Sequence, residues 1–227
     1  MYNTFFKRFL DVTLTLIVLI LISPLSVPIA IVLRSTAEGY IFYRQFRVGR
    51  YNEQFKIWKF ATMLKDSPKI GTGSLTLRND PRVTPFGRYL RITKLNELPQ
   101  LVNVLKGDMS IVGPRPQMQV DFEAYPPHVQ KQIYNIRPGI TGIGSIVFRD
   151  EEGLISKVEG DPHVYYNEVI APYKGELELW YQRNQSLLTD LVLIFITFWV
   201  IFFPRSELHY KIFRGLPKCP EEIKRYK

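Results

Sequence analysis

The chain has 227 residues, 46% hydrophobic and 22% charged, with a formal net charge of +9. That length supports one domain with a sizeable core plus something smaller, and the charge asks for an anionic partner: nucleic acid, a phosphate-bearing substrate or an acidic membrane surface. The single cysteine, Cys219, excludes an intrachain disulfide, and the scattered His128, His163 and His209 argue against a structural zinc site.

The first element is the apolar run Leu10–Leu33, LDVTLTLIVLILISPLSVPIAIVL, bounded by Lys7 and Arg8 before it and Arg34 after it. A run of about two dozen such residues can span a bilayer. It is long for the apolar region of a secretory signal peptide, and no small-residue cleavage site follows. A straight single span is the plainer alternative, but Ser23-Pro24 lies mid-run and Pro28 follows one turn later. Proline removes a backbone donor and collides with the preceding turn, so a kink is expected, with the Ser23 and Ser26 hydroxyls serving the freed carbonyls. Basic residues at both ends favour neither orientation across the membrane. We therefore read residues 1–36 as a re-entrant helix that bends at Ser23-Pro24 and returns to the face it entered.

Residues 37–227 read as a cytosolic domain. YIFYRQ and FKIWKF, separated by Gly49 and Asn52, predict a β-hairpin. KDSPKIGTGSLTLRNDPRVTPFG is rich in Gly, Pro, Asp and Asn and reads as loop. Its GTGSLT lacks the third glycine of a dinucleotide fingerprint and opens no helix. GRYLRITKLNELPQLVNVLKG then carries Leu95, Leu98, Leu101, Val102 and Leu105 at helical spacing. Asn96 is a good N-cap residue, Pro99 fits only a first turn, and Gly107 is a natural stop. A helix starting near Asn96 would place Glu97 at its positive end, where a carboxylate or a substrate phosphate is favoured.

The bland reading is that Glu97 stabilises that first turn. Its surroundings suggest more. Arg82, Arg88, Arg91 and Lys94 precede it, Arg115 follows between prolines in GPRP, Arg137 lies in RPG, and FRDEE offers Arg149, Asp150, Glu151 and Glu152. A lone arginine is usually solvated. Several in Pro/Gly-framed turns resemble a diphosphate site, because the guanidinium fork suits phosphate oxygens and proline limits the entropy lost on binding. Acidic residues in the same group would suit a magnesium ion bridging phosphates. Nucleic acid is set aside as a partner, since the aromatics sit in apolar runs and no recognition motif appears. The second apolar block, 187–203, is at the lower limit for spanning. Asp190 and Thr197, seven residues apart, share a narrow polar stripe, which suits a membrane-interface helix or one packed beneath the first block better than a second span.

The blocks FKRFLDVTLTLIVLILISPL, RQFRVGR, FKIWKF, DPRVTPFGRYLR, LNELPQLVNVLKGDMSIVGPRP and IRPGITGIGS occur in one order over nearly the whole chain. In this the sequence resembles the monotopic phosphoglycosyl transferases, the bacterial sugar transferases that begin lipid-linked glycan assembly. The resemblance implies a mainly helical α+β fold with short strands. It also implies a re-entrant helix broken at Ser23-Pro24 with both ends in the cytoplasm, hence a monotopic protein on the inner membrane's cytoplasmic face. It implies transfer of a sugar phosphate from a UDP-sugar to polyprenyl phosphate, with magnesium as cofactor, by a ping-pong mechanism opened by an enzyme carboxylate. The product would enter O-antigen, capsule, exopolysaccharide or glycoprotein glycan. The residues carried over are Glu97 and Asn96 at the catalytic and metal positions, with Lys59, Arg88, Arg115, Arg137, Arg149 and Asp150 for phosphate and substrate. Two departures stand out: the usual dyad is Asp-Glu, whereas here Asn96 precedes Glu97, and IGSIVFRDEE replaces the run many relatives carry after PGITG. Three readings are open: a branch in which Glu97 or another acid does the work, an engineered arrest, or a pseudoenzyme that binds lipid and nucleotide. A homodimer is also left open.

Overall fold

The computed structural model describes residues 4–36, 38–67, 75–204 and 206–226. Helix α1, Thr4–Ser35, runs through both Pro24 and Pro28 without losing its helical assignment. Pro24 has no N–H to offer the carbonyl of Ile20, and the Ser23 hydroxyl donates to that carbonyl instead at 2.9 Å. Ser26 likewise donates to Ile22 O at 3.1 Å. Most of the helix's apolar surface is bare, including Phe5, Phe9, Leu16, Ile20, Leu21, Val27 and Ile31. It is the one helix among the described residues long and apolar enough to cross a membrane.

Among the described residues the rest is mainly helical with four short strands, as expected of an α+β chain. Strands β1 (Phe42–Val48) and β2 (Gln54–Phe60) form the expected antiparallel hairpin, pairing Phe42 with Phe60 and Val48 with Gln54. Its turn takes Tyr51 and Asn52 to φ of 58° and 63°. The following loop is stapled by Arg82. Its Nε and Nη2 grip Asp80 at 2.9 and 2.6 Å, and the guanidinium also donates to the Ser67 and Leu75 carbonyls. The GTGS stretch of that loop lies outside the described residues.

Helix α2 (Pro85–Ile92) is capped by Thr84, whose hydroxyl accepts from Gly87 N. The structure corrects the continuous helix expected next. Lys94 takes φ 60°, Leu95–Glu97 form a single 3-10 turn, and α3 spans only Gln100–Lys106, with Pro99 at its cap position. Asn96 is therefore not the N-cap. An unbroken helix would need an N–H from Pro99 to serve Leu95 O, and proline has none. Gly107, at φ 93°, ends α3 as expected. Asn103, fully buried, donates to Lys56 O and accepts from Trp58 N, which locks α3 against β2.

Strand β3 (Ser110–Val112) pairs in parallel with β4 (Gly139–Thr141), in the register Ser110 to Gly139 and Val112 to Thr141. Short helices α4 (Gln119–Glu123) and α5 (Pro127–Gln130) lie between them, and α6 (Ile143–Val147), α7 (Glu151–Ile155) and α8 (Pro162–Tyr165) follow. One π turn leads into α9 (Ala171–Arg183), then α10 (Leu187–Phe202), α11 (Leu208–Ile212) and α12 (Glu221–Lys224). The main core joins Val112, Val129, Ile133, Ile143, Ile170, Leu177, Leu193 and Ile196. On α10 the polar stripe faces the body: Asp190 accepts from the Tyr181 hydroxyl at 2.6 Å, and Thr197 meets Thr141 hydroxyl to hydroxyl at 2.6 Å. Leu188, Leu191, Phe195, Phe198 and Phe202 remain exposed on its outer side.

Both ends of α1 dock on this one body. Near the start, Lys7 pairs with Asp190 at 2.5 Å, Arg8 donates to Val104 O and Leu105 O, and Asp11 accepts from Ile111 N. Near the finish, Ile29 and Leu33 are buried with Phe60 and Leu90, in a cluster that Leu95 and Leu98 also join. In a straight helix Arg8 and Leu33 would stand about 37 Å apart at ~1.5 Å per residue. Leu98 and Leu105, at the two ends of this grip, are close neighbours in the chain on either side of the α3 start.

Candidate active site

The Leu95–Glu97 turn, the hairpin and the loop after β3 converge on Glu97, whose side chain is 13% exposed. Arg115 Nη2 donates to its Oε1 at 3.0 Å, and Lys59 Nζ stands 3.6 Å from the same oxygen. Lys59 comes from β2. Arg115 comes from the GPRP loop, where Tyr134 OH donates to its carbonyl at 2.8 Å and its own N–H donates to Glu178 Oε1 at 3.2 Å. Arg47, on β1, reaches the same region; its Nη2 donates to Gln45 at 2.6 Å, while its Nε is enclosed without a hydrogen-bond partner.

Burial by itself would raise the pKa of Glu97, but Arg115, Lys59 and Lys94 outweigh it and hold the carboxyl well below the usual carboxylate range. Arg115 is raised by Glu97 against the effect of burial. Burial brings Lys59 down to about 7, opposed by Glu97 but aided by Arg115, Arg47 and Arg91. Lys94 is lowered in the same way, chiefly by burial. Glu97 is the carboxylate paired with Arg115 and Lys59, while Asp121, Glu151 and Glu152 also act electrostatically on Arg47, Arg115 and Lys94 respectively.

Beside it, Asn96 is 6% exposed and its Oδ1 has no hydrogen-bond partner. An amide oxygen can only accept, so this one calls for a donor or a cation. Both ion-pair contacts of Glu97 use Oε1. Glu97 and Asn96 thus offer hard oxygen donors on adjacent residues, which would suit a magnesium ion. Among the described residues no group of three or more His, Cys, Asp or Glu side chains forms a ready-made cage.

The cavity around these groups has a volume of about 1740 Å³ and is lined by Arg47, Lys59, Lys94, Glu97 and Arg115. Its apolar lining includes Leu14 and Val18 of α1, Leu101, Ile111 and Ile140, and Ile194, Phe198 and Ile201 of α10. Arg88 and Arg149 also line the cavity, and Arg149 Nη1 is enclosed without a partner. Asp150 lines it too, but its carboxylate caps α7 through Gly153 N and pairs with exposed Arg78 at 2.8 Å. Glu151 pairs with Lys174 at 2.6 Å, and Glu152 pairs with Arg91.

The structure does not bring Arg137 to this cluster. Its Nε donates to Gly107 O at 2.8 Å, and it is not among the cavity-lining residues. Nor is Arg82 a spare cation, being spent on Asp80 with both side chains almost fully buried. The sequence reading missed Arg47. Strand alternation could have found it, since the pairs Tyr43 with Lys59 and Arg47 with Phe55 put Arg47 and Lys59 on one face of the hairpin.

Cationic side chains and apolar residues of α1 and α10 thus line one cavity, beside a helix long and apolar enough to cross a membrane. The chain belongs to the bacterial sugar transferase family, which it matches over residues 2–204. It is 36% identical over 209 residues to a UDP-glucose:undecaprenyl-phosphate glucose-1-phosphate transferase of Klebsiella pneumoniae, covering 90% of this chain and 42% of that protein. It is 34% identical to an undecaprenyl-phosphate galactose phosphotransferase of Salmonella typhimurium, covering 86% and 40%. With exopolysaccharide production protein ExoY of Sinorhizobium fredii it shares 33% identity, covering 84% of this chain and 83% of that one. The chain thus spans about two fifths of the length of the first two relatives and most of the third.

Proposed function

We propose that this protein transfers a sugar-1-phosphate from a UDP-sugar to undecaprenyl phosphate and releases UMP. The observation that carries the reading is the Glu97 cluster: an ionised carboxylate held by Arg115 and Lys59, with further cations around it, in a cavity that apolar residues of α1 and α10 also line. Relatives matched over most of this chain are named for that transfer with glucose, galactose and N-acetylgalactosamine. Every relative named here is a transferase or an exopolysaccharide production protein, so a binding-only role gains no support from them.

The diphosphate of the UDP-sugar enters on the water side, where Arg115, Arg47, Lys59 and Lys94 supply counter-charge and Arg88 and Arg149 flank it. The polyprenyl chain lies along the apolar lining from α1 and α10, which brings its phosphate to the same cations. Glu97 is the carboxylate assigned to the first displacement. Its free oxygen attacks the sugar-bearing phosphorus, a new P–O bond forms, and the P–O bond to UMP breaks with its electron pair leaving on UMP. An oxygen of undecaprenyl phosphate then attacks that phosphorus and returns Glu97 as carboxylate. Asn96, a neutral amide, is a poor nucleophile and serves as an acceptor at the metal position. A magnesium ion held by Asn96 Oδ1 and Glu97 would neutralise charge on the diphosphate.

The test is UMP release by the purified protein with undecaprenyl phosphate, magnesium and a panel of UDP-glucose, UDP-galactose and UDP-N-acetylgalactosamine. Exchange of labelled UMP into UDP-sugar without lipid is expected for a covalent first step and should vanish in Glu97→Gln. Undiminished turnover in that variant removes Glu97 from the chemistry. Release of UMP only after Asn96→Asp would mark the native chain as inactive.

The same proposal makes α1 re-entrant and the protein monotopic on the cytoplasmic face of the inner membrane. The support is the double docking of α1 on one body, and the serine hydroxyls that serve the carbonyls around Pro24. Accessibility labelling from both sides is the check: residues 7 and 36 on opposite faces would refute it.

A further inference from the structure

Arg8 and Arg137 meet at the C-terminal end of α3, and Arg50 belongs to the hairpin turn whose Tyr51 N–H donates to Tyr134 O at 2.8 Å, three residues before Arg137. Arg8 spends Nη1 and Nη2 on Val104 O and Leu105 O at 2.6 and 2.9 Å, and Arg137 spends only Nε, on Gly107 O. Arg50 has an enclosed Nε without a hydrogen-bond partner, and its guanidinium lies 4.5 Å over the ring of Tyr51. None of the three forms an ion pair among the described residues. The acids nearby are engaged: Asp11 accepts from Ile111 N, and Asp108, next to Gly107, accepts from Asn103 at 3.1 Å. Burial, then Arg50 and Arg8, lower the pKa of Arg137, with Asp11 opposing them.

Three arginines with one buried carboxylate, Asp11, beside them leave room for a further anion, and guanidinium forks match phosphate oxygens. The setting identifies which phosphate. Arg8 lies between Phe5 and Phe9, which are 78% and 58% exposed, and Tyr51 beside Arg50 is 62% exposed. Bare aromatic rings next to arginines are the side-chain chemistry of a bilayer's headgroup layer. None of the three arginines lines the Glu97 cavity. We propose that Arg8, Arg50 and Arg137 form a headgroup site for an anionic phospholipid, which fixes the depth at which the N-terminal end of α1 sits. This inference stands apart from the transfer reaction.

The experiment offers the full-length protein an equimolar mixture of phosphatidylglycerol and phosphatidylcholine, and native mass spectrometry counts the retained lipid. Wild type should prefer phosphatidylglycerol, and Arg50→Gln with Arg137→Gln should cut that preference by roughly fivefold or more per arginine removed. Arg50→Gln alone, whose guanidinium bonds no carbonyl, should act in the same direction with thermal unfolding unchanged. Equal selectivity in wild type and both variants overturns the proposal. Loss of the preference on adding inorganic phosphate overturns the lipid as occupant, and displacement of the lipid by UDP would put it in the catalytic cavity instead.

Discussion

Replacing Glu178 by glutamine should make the protein more stable at pH 8 and leave it nearly unchanged at pH 5. Glu178 lies on α9 with no exposed surface; its Oε1 accepts the Arg115 N–H and its Oε2 has no partner. Burial raises its pKa to about 7, against lowering contributions from the Arg115 and Gly144 N–H groups, Lys174 and the Arg115 charge. The folded state therefore keeps its proton between pH 4.5 and about 7, while the unfolded chain releases it. Stability from this group is full below pH 4.5 and is lost as pH rises through about 7. The gap between 4.5 and about 7 is worth about 3 kcal/mol at ~1.36 kcal/mol per pH unit. Glutamine keeps an oxygen for the two N–H donors but adds amide hydrogens without an acceptor, which costs about 1 kcal/mol. The net gain at pH 8 is about 2 kcal/mol on these figures. Denaturant unfolding followed by circular dichroism in detergent, at pH 5 and pH 8, measures it. If wild type and Glu178→Gln lose stability in parallel between those pH values, the carboxyl does not titrate in the folded state and the reasoning fails.

Arg115→Lys should lower UMP release by ~10²-fold or more, because an ammonium cannot reproduce the fork that meets both Glu97 and a phosphate. Equal turnover would show that only the charge matters. With Lys59 at about 7, its charge is present below that pH and lost above it, so KM for the UDP-sugar should climb as pH rises past neutrality. Lys59→Arg should move that limb to higher pH, and an unmoved profile would assign the titration to another group. Asp80→Asn removes the carboxylate that grips the buried Arg82 guanidinium and should destabilise the fold by ~3–5 kcal/mol, read from denaturant midpoints. Pro24→Ala restores a donor to Ile20 O and should straighten α1, moving part of the population to a labelling pattern with residue 7 on the far side. An unchanged pattern would mean that docking of the two ends, not the proline, sets the bend.

Local chemistry was legible in the sequence. The hairpin followed from its aromatic runs, the end of α3 from Gly107, and the polar stripe of α10 from the spacing of Asp190 and Thr197. So was the meeting of Glu97 with Arg115, because both lie in rigid turns a short stretch apart. What was lost depends on long-range placement. Arg137 sits in a proline-framed turn as Arg115 does, yet β4 delivers it to the opposite end of α3. Asn96 has the chemistry of a helix cap, but Pro99 moves the helix start downstream and turns its amide inward. Arg82 looked like a substrate cation although its partner was local, since Asp80 stands two residues away and takes its guanidinium.

The grip of Arg8 on the last carbonyls of α3 and of Asp11 on the backbone of β3 makes the apolar helix part of the architecture it anchors. Trimming it away to obtain a water-soluble enzyme would strip hydrogen bonds from the elements that flank the Glu97 turn and remove part of the cavity's lining. A grafted foreign membrane anchor would restore attachment and not the fold.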